Sequence, residues 1–360
     1  MMIDLEDRMA GVLLGTAVGD AIGLPREGLS RRRSHRMLGS GPLHHALLFG
    51  RGMVSDDTEQ TCFVAQALLR HGEDPERFAR HLAWSLRWWL LRLPAGVGFG
   101  TLRAVLKLWL GFSPATSGVG SAGNGPAMRS AIIGACLRHA PAKLAAFCNA
   151  SSRLTHGDPR AAEGATAIAL AAALAVASDA GSLVPAQVLQ QLRHHLSGRE
   201  LLEHLTLAEQ LLQQRAAPAE LCRQMGLERG VTGFSNHTVP VALYCWLRSP
   251  DDVRRAVESV VLLGGDTDTT GAIVGALAGA TTGAGGIPQE WLAGVVDWPL
   301  STAWIRRLAT GLAVRFPDAP GPGRPPEQPI SLCWPGLVVR NLLFLTVVLL
   351  HGLRRLLPPY

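Results

Sequence analysis

The chain has 360 residues, of which 48% are hydrophobic and 17% are charged. This balance excludes a disordered chain and allows a sizeable core, in one large domain or two smaller ones. The net charge of +6 comes almost entirely from scattered arginines, and the one basic cluster, residues 31–36, has no interleaved aromatic residue. We therefore expect no nucleic-acid partner. The N-terminus has no basic segment before its apolar run, and the six cysteines show no paired spacing, which predicts a cytoplasmic protein.

The first informative segment in chain order is the glycine-rich stretch at residues 15–27. Its glycines indicate that backbone packs closely against a neighbouring element. Asp20 lies inside this stretch, where it is expected to accept hydrogen bonds from backbone donors. Glu27 follows in the loop after Pro25 and is a carboxylate within reach of a site formed elsewhere in the chain.

A short acidic motif, Ser55-Asp56-Asp57-Thr58, immediately precedes an amphipathic helix predicted for residues 57–70. One interpretation is that a single side chain caps this helix, which explains one of these residues but not the block. The other interpretation is metal ligation. A helix N-terminus favours charged carboxylates, and the charged form is the one that binds a cation.

Helix-start signals recur along the chain. Asp-Pro pairs open predicted helices at residues 74–76 and 158–160, and residues 250–252 open another that is expected to end near residue 263. The helix after Asp158, running to about Ala177, is apolar on all sides, so we expect it at the centre of a bundle. No segment shows sustained alternation of period two, and the sequence therefore predicts an all-α fold.

A second acidic motif lies at residues 264–269, with the sequence Gly-Gly-Asp-Thr-Asp-Thr. Asp266 and Asp268 can face one ion from a turn while Thr267 points away, although a glycine C-cap followed by an N-cap is the alternative. If the fold brings the carboxylates of both motifs together, divalent cations must lie between them, because like charges repel strongly in a low-dielectric site. Oxygen-only ligands favour Mg²⁺ or Mn²⁺.

The C-terminal part begins with Gly271, Gly275 and Gly279, whose four-residue spacing predicts a close approach between two helices. A Pro/Gly-rich linker is expected at residues 317–329, and an apolar helix within residues 330–360. The uninterrupted apolar run of this helix is shorter than the ~18 residues that span a bilayer. Docking on the bundle or on a second subunit is favoured over the alternative of a membrane-surface anchor.

Five motifs in this order resemble those of the ADP-ribosylglycohydrolase family, over about residues 8–315. They are Gly-Asp-Ala-Ile-Gly at residues 19–23 followed by Glu27, the first acidic motif, Gly-Asn-Gly at residues 123–125, Thr155-His156, and the second acidic motif. The resemblance implies an orthogonal all-α bundle, residues 1–316, with a central cleft that holds two divalent cations, Mg²⁺ or Mn²⁺.

The resemblance also implies roles for the site residues. It implies metal ligands at Ser55, Asp56, Asp57, Asp266, Asp268 and Thr269, catalytic carboxylates at Glu27, Asp56, Asp57 and Asp266, and substrate-binding positions at Gly123, Asn124, Gly125 and His156. Asn124 as a turn residue is an equal alternative. For His156, a structural hydrogen bond is favoured over direct catalysis. Free N–H groups in residues 118–125 are expected to cradle a diphosphate.

The activity implied by the resemblance is metal-dependent hydrolysis of an ADP-ribosyl glycosidic bond. The substrate would be an ADP-ribosylated protein or a small molecule of the O-acyl-ADP-ribose type. Carboxylates near the anomeric carbon would stabilise the positive charge that develops as the leaving group departs. One difference between this sequence and the family pattern favours an alternative function. The alternative is a non-catalytic protein that binds ADP-ribose or a related nucleotide. Residues 93–100 lack the acidic residue that some nitrogenase-regulating members carry in the comparable loop.

Overall fold

The computed structural model describes residues 3–179, 181–318 and 328–358, and α-helices make up most of it. Within these residues the regular β-structure is one antiparallel pair of two-residue strands, β1 (Leu29–Ser30) and β2 (Gly264–Gly265). The fold is therefore all-α, as the sequence predicts, with a short ladder that no alternating pattern indicated. Most of the expected linker, residues 319–327, lies outside the described part of the chain.

Helices follow one another along both halves of the chain. The N-terminal half contains α1 (Leu5–Gly23), α2 (Arg31–Leu38), α3 (Asp56–His71), α4 (Pro75–Leu91), α5 (Phe99–Trp109), α6 (Gly125–Met128), α7 (Ala131–Cys136), α8 (Pro141–Arg153) and α9 (Pro159–Ala177). The C-terminal half contains α10 (Pro185–His195), α11 (Arg199–Gln213), α12 (Pro218–Gln224), α13 (Ser235–Arg248), α14 (Val253–Val261), α15 (Thr267–Thr282), α16 (Gln289–Gly294), α17 (Thr302–Arg315) and α18 (Trp334–Arg354).

The predicted helix starts are confirmed by their capping hydrogen bonds. Asp74 and Asp158 cap α4 and α9 by accepting from backbone N–H groups in the first turn of each helix. Asp252 caps α14, which begins at Val253 rather than at the preceding Asp-Asp pair. Short side chains with an acceptor oxygen satisfy the N–H groups that a helix start leaves unpaired, so these three boundaries were readable from the sequence.

The centre of the bundle is an antiparallel pair, α1 and α15, that packs backbone against backbone. A Cβ placed on Gly15 would overlap the carbonyl oxygen of Gly275, and a Cβ on Gly275 would overlap that of Gly15. The contact repeats every four residues along both helices, because residues at this spacing share one helix face. The facing positions are Gly11 with Gly279, Gly15 with Gly275, Gly19 with Gly271, and Gly23 with Thr267.

Two described helices are long and apolar enough to cross a membrane, and they differ in burial. In the most apolar stretch of α9, 61% of the residues are buried, as expected for a core helix. The corresponding stretch of α18 is 33% buried. Phe344 and Val347 of α18 pack against Leu24, Leu47 and Met53, so this helix contacts the segments that precede two of the predicted site motifs.

Candidate carboxylate site

The two acidic motifs come together where the N-terminal ends of α3 and α15 meet. Thr269 Oγ1, in the first turn of α15, lies 3.3 Å from Asp57 Oδ2 in the first turn of α3, although the two residues are 212 positions apart. Thr267 Oγ1 donates to the carbonyl of Gly23 at 2.8 Å, which fixes the start of α15 against the end of α1. The glycine contact between α1 and α15 therefore determines where the second acidic motif lies.

In the first acidic motif, the residue that caps the helix is not one of the two aspartates. Ser55 is the N-cap of α3, and its Oγ accepts from the Asp57 N–H at 3.3 Å. Asp56 and Asp57 do not cap the helix. Asp56 Oδ2 accepts from Gln60 Nε2 at 2.9 Å, and Asp57 Oδ2 accepts from the Ser55 hydroxyl at 3.1 Å. The capping interpretation thus holds for Ser55 and leaves both carboxylates available to the site.

Asp20, on α1, holds the first acidic motif in place. Its Oδ2 accepts from the N–H of Ser55 at 2.8 Å, the N–H of Thr58 at 3.3 Å and the hydroxyl of Thr58 at 2.5 Å. These bonds satisfy donors at a helix start, as the sequence predicted for this residue. Asp20 is fully buried, and burial raises its pKa to about 7 despite the hydrogen bonds, which act in the opposite direction.

The second acidic motif depends on two glycines in the left-handed region. Gly264 and Gly265 have φ values of 78° and 86°, which side-chain-bearing residues rarely adopt. They turn the chain from α14 into α15 and leave Asp266 just before the helix, without a capping bond of its own. Asp266 Oδ2 instead accepts from Asn124 Nδ2 at 2.7 Å. Thr267 points away from the site, as predicted.

Burial, and next repulsion between neighbouring carboxylates, raises the pKa of several carboxyl groups in the cluster. For Asp57 and Asp268, burial is the largest cause, followed by repulsion from neighbouring carboxylates, and it raises each pKa well above the usual value. The pKa of Asp56 is raised in the same way. Burial also raises the pKa of Glu27, with Asp266 as the next cause, while the Arg355 guanidinium opposes the shift. Without a cation, this group of carboxyls retains protons that separate carboxyls would lose.

The donor set fits a hard cation. Asp20 Oδ1 and Asp57 Oδ1 are buried atoms with no hydrogen-bond partner, a rare and costly situation for a polar atom. The surrounding donors are carboxylate and hydroxyl oxygens, the ligands that Mg²⁺ and Mn²⁺ prefer. Within the three described ranges, no group of three or more His, Cys, Asp or Glu side chains is arranged so that it could hold a metal ion by itself. An ion here would therefore also draw on the hydroxyls of Ser55 and Thr269.

Asn124 lies beside this cluster, between Asp266 and Thr238. Its Nδ2 donates to Asp266 Oδ2 at 2.7 Å and to Thr238 Oγ1 at 2.9 Å, so the amide orients the Asp266 carboxylate. Its own N–H donates to the carbonyl of Gly233 at 2.9 Å. The expectation of free N–H groups across residues 118–125 is wrong at several positions. The N–H groups of Gly118 and Val119, for example, donate to carbonyls of the segment that precedes His156.

His156 is buried behind the Gly-Asn-Gly turn, where a Cβ on Gly125 would lie 3.0 Å from its ring. Its Nδ1 lies 2.8 Å from Thr155 Oγ1. Burial, and next the nearby Arg129 guanidinium, lower its pKa to about 3, so the imidazole stays neutral at physiological pH. This geometry agrees with the structural hydrogen-bonding role that the sequence favoured. Contact of His156 with a substrate stays a prediction.

Sequence reasoning missed the side chain that links these parts. Arg129 is fully buried and donates to Gln60 Oε1 at 2.7 Å, to Thr155 Oγ1 at 2.8 Å and to the carbonyl of Ser151 at 2.9 Å. Gln60 in turn donates to Asp56, so one guanidinium connects a cluster carboxylate to the Thr-His motif. An arginine directly after an apolar helical turn was the available signal, because arginine is rarely buried without partners.

The loop before α13 was missed as well. A Cβ on Gly233 would lie 3.2 Å from Asp266 Oδ2, so glycine leaves space beside that carboxylate. Phe234, the next residue, is partly exposed and lies under the Arg160 guanidinium, 5.2 Å from the ring centre. Val231 pairs with Gly265 of β2, which holds this loop at the site. Two glycines, Gly230 and Gly233, were the only sequence signal of the loop's special geometry.

Comparisons with known proteins identify the family of this chain. The profile of the ADP-ribosylglycohydrolase family matches residues 1–321. The chain is 29% identical over 301 residues to the ADP-ribosyl-[dinitrogen reductase] glycohydrolase of Rhodospirillum rubrum, covering 80% of this chain and 90% of that protein. It is 28% identical to the ADP-ribosylhydrolase ARH3 of Xenopus tropicalis, covering 86% of this chain and 96% of the relative.

A solved structure described as an ADP-ribosylglycohydrolase-related protein complex is similar in fold as well as in sequence. It superimposes with a TM-score of 0.65 at 28% identity, covering 86% of this chain and 97% of the other. The profile match spans both acidic motifs, Glu27, Asn124 and His156. The chain therefore belongs to the ADP-ribosylglycohydrolase family, a family of glycosidic-bond hydrolases.

Proposed function

We propose that this protein hydrolyses an ADP-ribosyl glycosidic bond with the help of two divalent cations, Mg²⁺ or Mn²⁺. ADP-ribosyl glycohydrolase activity is the activity of the family to which the chain belongs. The observation that carries the metal-dependent mechanism is the convergence of Asp57 and Thr269 in a buried cluster of oxygen donors. The ligands we assign are the side chains of Ser55, Asp56, Asp57, Asp266, Asp268 and Thr269.

The cations, when bound, would grip hydroxyls of the ribose and stabilise negative charge on oxygen. The protein's own contribution is positional. Asn124 fixes the Asp266 carboxylate, and Asp20 fixes the start of α3 through its three hydrogen bonds. A site held in this way keeps its charges oriented before the substrate arrives, which is where most electrostatic catalysis comes from.

Glu27 is the carboxyl that we assign to proton transfer. It is half-buried at the edge of the cluster, and burial raises its pKa toward the range in which a carboxyl can both give and accept a proton. The carboxylates next to it would face the anomeric carbon and stabilise the oxocarbenium character of the transition state. Asp56, Asp57 and Asp266 carry this second role in the proposal.

The substrate that we propose is an ADP-ribosylated protein side chain or a small molecule of the O-acyl-ADP-ribose type. The Rhodospirillum rubrum relative is named for action on dinitrogen reductase. Residues 93–100 of this chain contain no acidic residue, which separates it from the nitrogenase-regulating pattern considered above. We therefore include substrates with linkages other than arginine.

The test is release of ADP-ribose by the purified full-length chain. Three substrates are compared, an arginine-linked peptide, a serine-linked peptide and O-acetyl-ADP-ribose, each with Mg²⁺, with Mn²⁺ and after chelation. We expect turnover of at least one substrate with a metal ion present and its loss on chelation. Metal-independent turnover would contradict the assigned cofactor. Tight ADP-ribose binding by calorimetry without turnover of any conjugate would support a binding protein instead.

A further inference from the structure

The C-terminal helix α18 lies beyond the family match, which ends at residue 321, yet Arg340 in its first half and Arg355 just after it donate to the backbone of segments that carry site residues. Its middle is fixed by Phe344 and Val347, which pack with Leu24 and Met53. Leu24 stands three residues before Glu27, and Met53 stands two residues before Ser55. One helix therefore supports the backbone of both N-terminal site segments from the same side.

The N-terminal end of α18 contacts the segment that leads into the first acidic motif. Arg340 is buried and donates to the carbonyl of Val54, the residue directly before Ser55. The same guanidinium donates to Asp297 Oδ2 at 2.7 Å, and the Glu59 carboxylate of α3 lies 3.6 Å away. A planar guanidinium with several fixed donors suits such a three-way contact, which a lysine could not reproduce.

The C-terminal end of α18 contacts the Glu27 loop. Arg355, the first residue after the helix, donates from Nη1 to the carbonyl of Glu27 at 2.7 Å and from Nη2 to the carbonyl of Pro25 at 3.1 Å. Its positive charge also attracts the carboxylates of Glu27 and Asp268. His351, one turn earlier, lies 2.6 Å from the carbonyl of Leu47, which anchors this end of the helix.

The Glu27 loop needs such a support on its outer side. The loop follows a single turn of 3-10 helix, Leu24–Arg26, and leads into Gly28 at a φ of 71°, a conformation that suits glycine. On its inner side, the Gly28 N–H donates to the carbonyl of Gly265 at 2.7 Å. A short segment with few regular hydrogen bonds is a region of low local stability, so each added anchor limits its motion.

We propose that Arg355 is a positioning residue of the active site, which fixes Glu27 by gripping the two carbonyls on either side of the Arg26–Glu27 peptide. The inference deepens the proposed function and rests on it for its kinetic consequence. Its structural part, the anchoring of residues 24–28 by a helix outside the family match, stands on the hydrogen bonds alone. No substrate contact is assigned to Arg355.

The test compares three variants of the full-length chain, Arg355→Met, Arg355→Lys and Arg354→Met. Arg354 is the matched control, because it is exposed on the same turn and, among the described residues, its guanidinium donates to the carbonyl of Pro358 and to no site segment. Two quantities are measured. They are the rate of ADP-ribose release at saturating substrate and the rate of amide hydrogen exchange in the peptides that cover residues 24–31.

We expect Arg355→Met to lower the rate about 10- to 100-fold, the usual cost of losing a residue that orients a site ligand. Exchange in residues 24–31 should become faster, and Arg355→Lys should recover part of both effects because it keeps the charge and one donor. Arg354→Met should match the unsubstituted chain. Equal exchange in Arg355→Met and Arg354→Met would overturn the proposal, whatever the rates.

The rate of ADP-ribose release and the rate of hydrogen exchange test the proposed function and the role of Arg355 separately. If the unsubstituted chain releases no ADP-ribose from any substrate, the proposed function fails, while the exchange rates still decide whether Arg355 anchors the loop. If the chain is active and Arg355→Met exchanges faster but keeps its full rate, then the positioning role for Glu27 is wrong.

Discussion

Two neighbouring regions differ in how their atoms are satisfied. They are the interface between α1 and α15 and the carboxylate cluster at its end. Along the interface, glycines bring two backbones into direct contact, and an added Cβ at Gly15 would overlap a carbonyl oxygen. In the cluster, Asp20 Oδ1 and Asp57 Oδ1 are buried without a partner, and like charges lie close together. In the first region the packed atoms satisfy one another, and in the second two buried carboxylate oxygens have no hydrogen-bond partner. A rigid scaffold is what allows the fold to maintain a costly cluster of like charges.

The most damaging single substitution should be one at the contact between α1 and α15. Gly15→Ala should destabilise the protein by about 3 kcal/mol or more, because the new methyl group meets backbone that cannot move aside as a side chain could. Urea denaturation measures the loss. Gly41→Ala is the control, because nothing lies within 4 Å of a Cβ at that exposed glycine, and it should stay within about 0.5 kcal/mol of the unsubstituted chain. Equal stability of both variants would show that the helices are not in backbone contact.

A second substitution removes two carboxylates from the cluster. Asp266→Ala combined with Asp268→Ala should lower the rate of ADP-ribose release by about 100-fold or more and abolish stabilisation by Mn²⁺. In metal-free buffer the same variant should melt no lower than the unsubstituted chain, because two mutually repelling carboxylates are gone. Thermal melts with and without Mn²⁺ measure both the loss of stabilisation by the ion and the melting temperature of the metal-free protein. Asp251→Ala, at an exposed position, is the control, and full Mn²⁺ stabilisation of the double variant would contradict the ligand assignment.

A smaller effect concerns the residue that orients Asp266. Asn124→Ala should lower the rate about tenfold and weaken Mn²⁺ binding by a similar factor, because the Asp266 carboxylate loses its donor at 2.7 Å. Steady-state kinetics and calorimetry measure the two changes. Asn149→Ala on the exposed face of α8 should change neither. If Asn124→Ala raised KM for ADP-ribosyl substrates without changing Mn²⁺ affinity, Asn124 would be a substrate contact instead.

The smallest effect is the pH dependence of the metal-free protein. The pKa of Asp20 is raised to about 7, and the pKa values of Asp57 and Asp268 are also raised, each by burial first. Between about pH 4, where such groups titrate in the unfolded chain, and these higher values, the folded state holds more protons. Metal-free stability should therefore fall as pH rises from about 5 to 8. Stabilisation by Mg²⁺ should grow over the same range, and a metal-free Tm that rises with pH would contradict the raised pKa values.

The sequence predicted the scaffold better than the site, for physical reasons. Asp74 and Asp158 identify helix starts because capping is a local interaction, and the spacing of Gly271, Gly275 and Gly279 identifies a contact face because helix geometry is regular. The sequence did not identify the partner of that face. The matching glycines of α1 indicate from the sequence only that backbone packs closely there.

The site itself depends on contacts between distant segments, which a local pattern cannot contain. The two acidic motifs could be recognised by their composition, but the role of Arg129 depends on Gln60 and Thr155, which meet only in the fold. The support of Glu27 by Arg355, more than 300 residues away, is a contact of the same kind. The short ladder between β1 and β2 was missed because two residues are too few to show a period.

We propose that the acidic motifs around Asp57 and Asp268 jointly hold two divalent cations. Crystals of the unsubstituted chain grown with Mn²⁺, measured at a wavelength where manganese scatters anomalously, test it directly. We expect two strong anomalous peaks between these carboxylates and within coordination distance of Ser55 and Thr269. Manganese bound elsewhere, or no peak between the two motifs at saturating Mn²⁺, would contradict it.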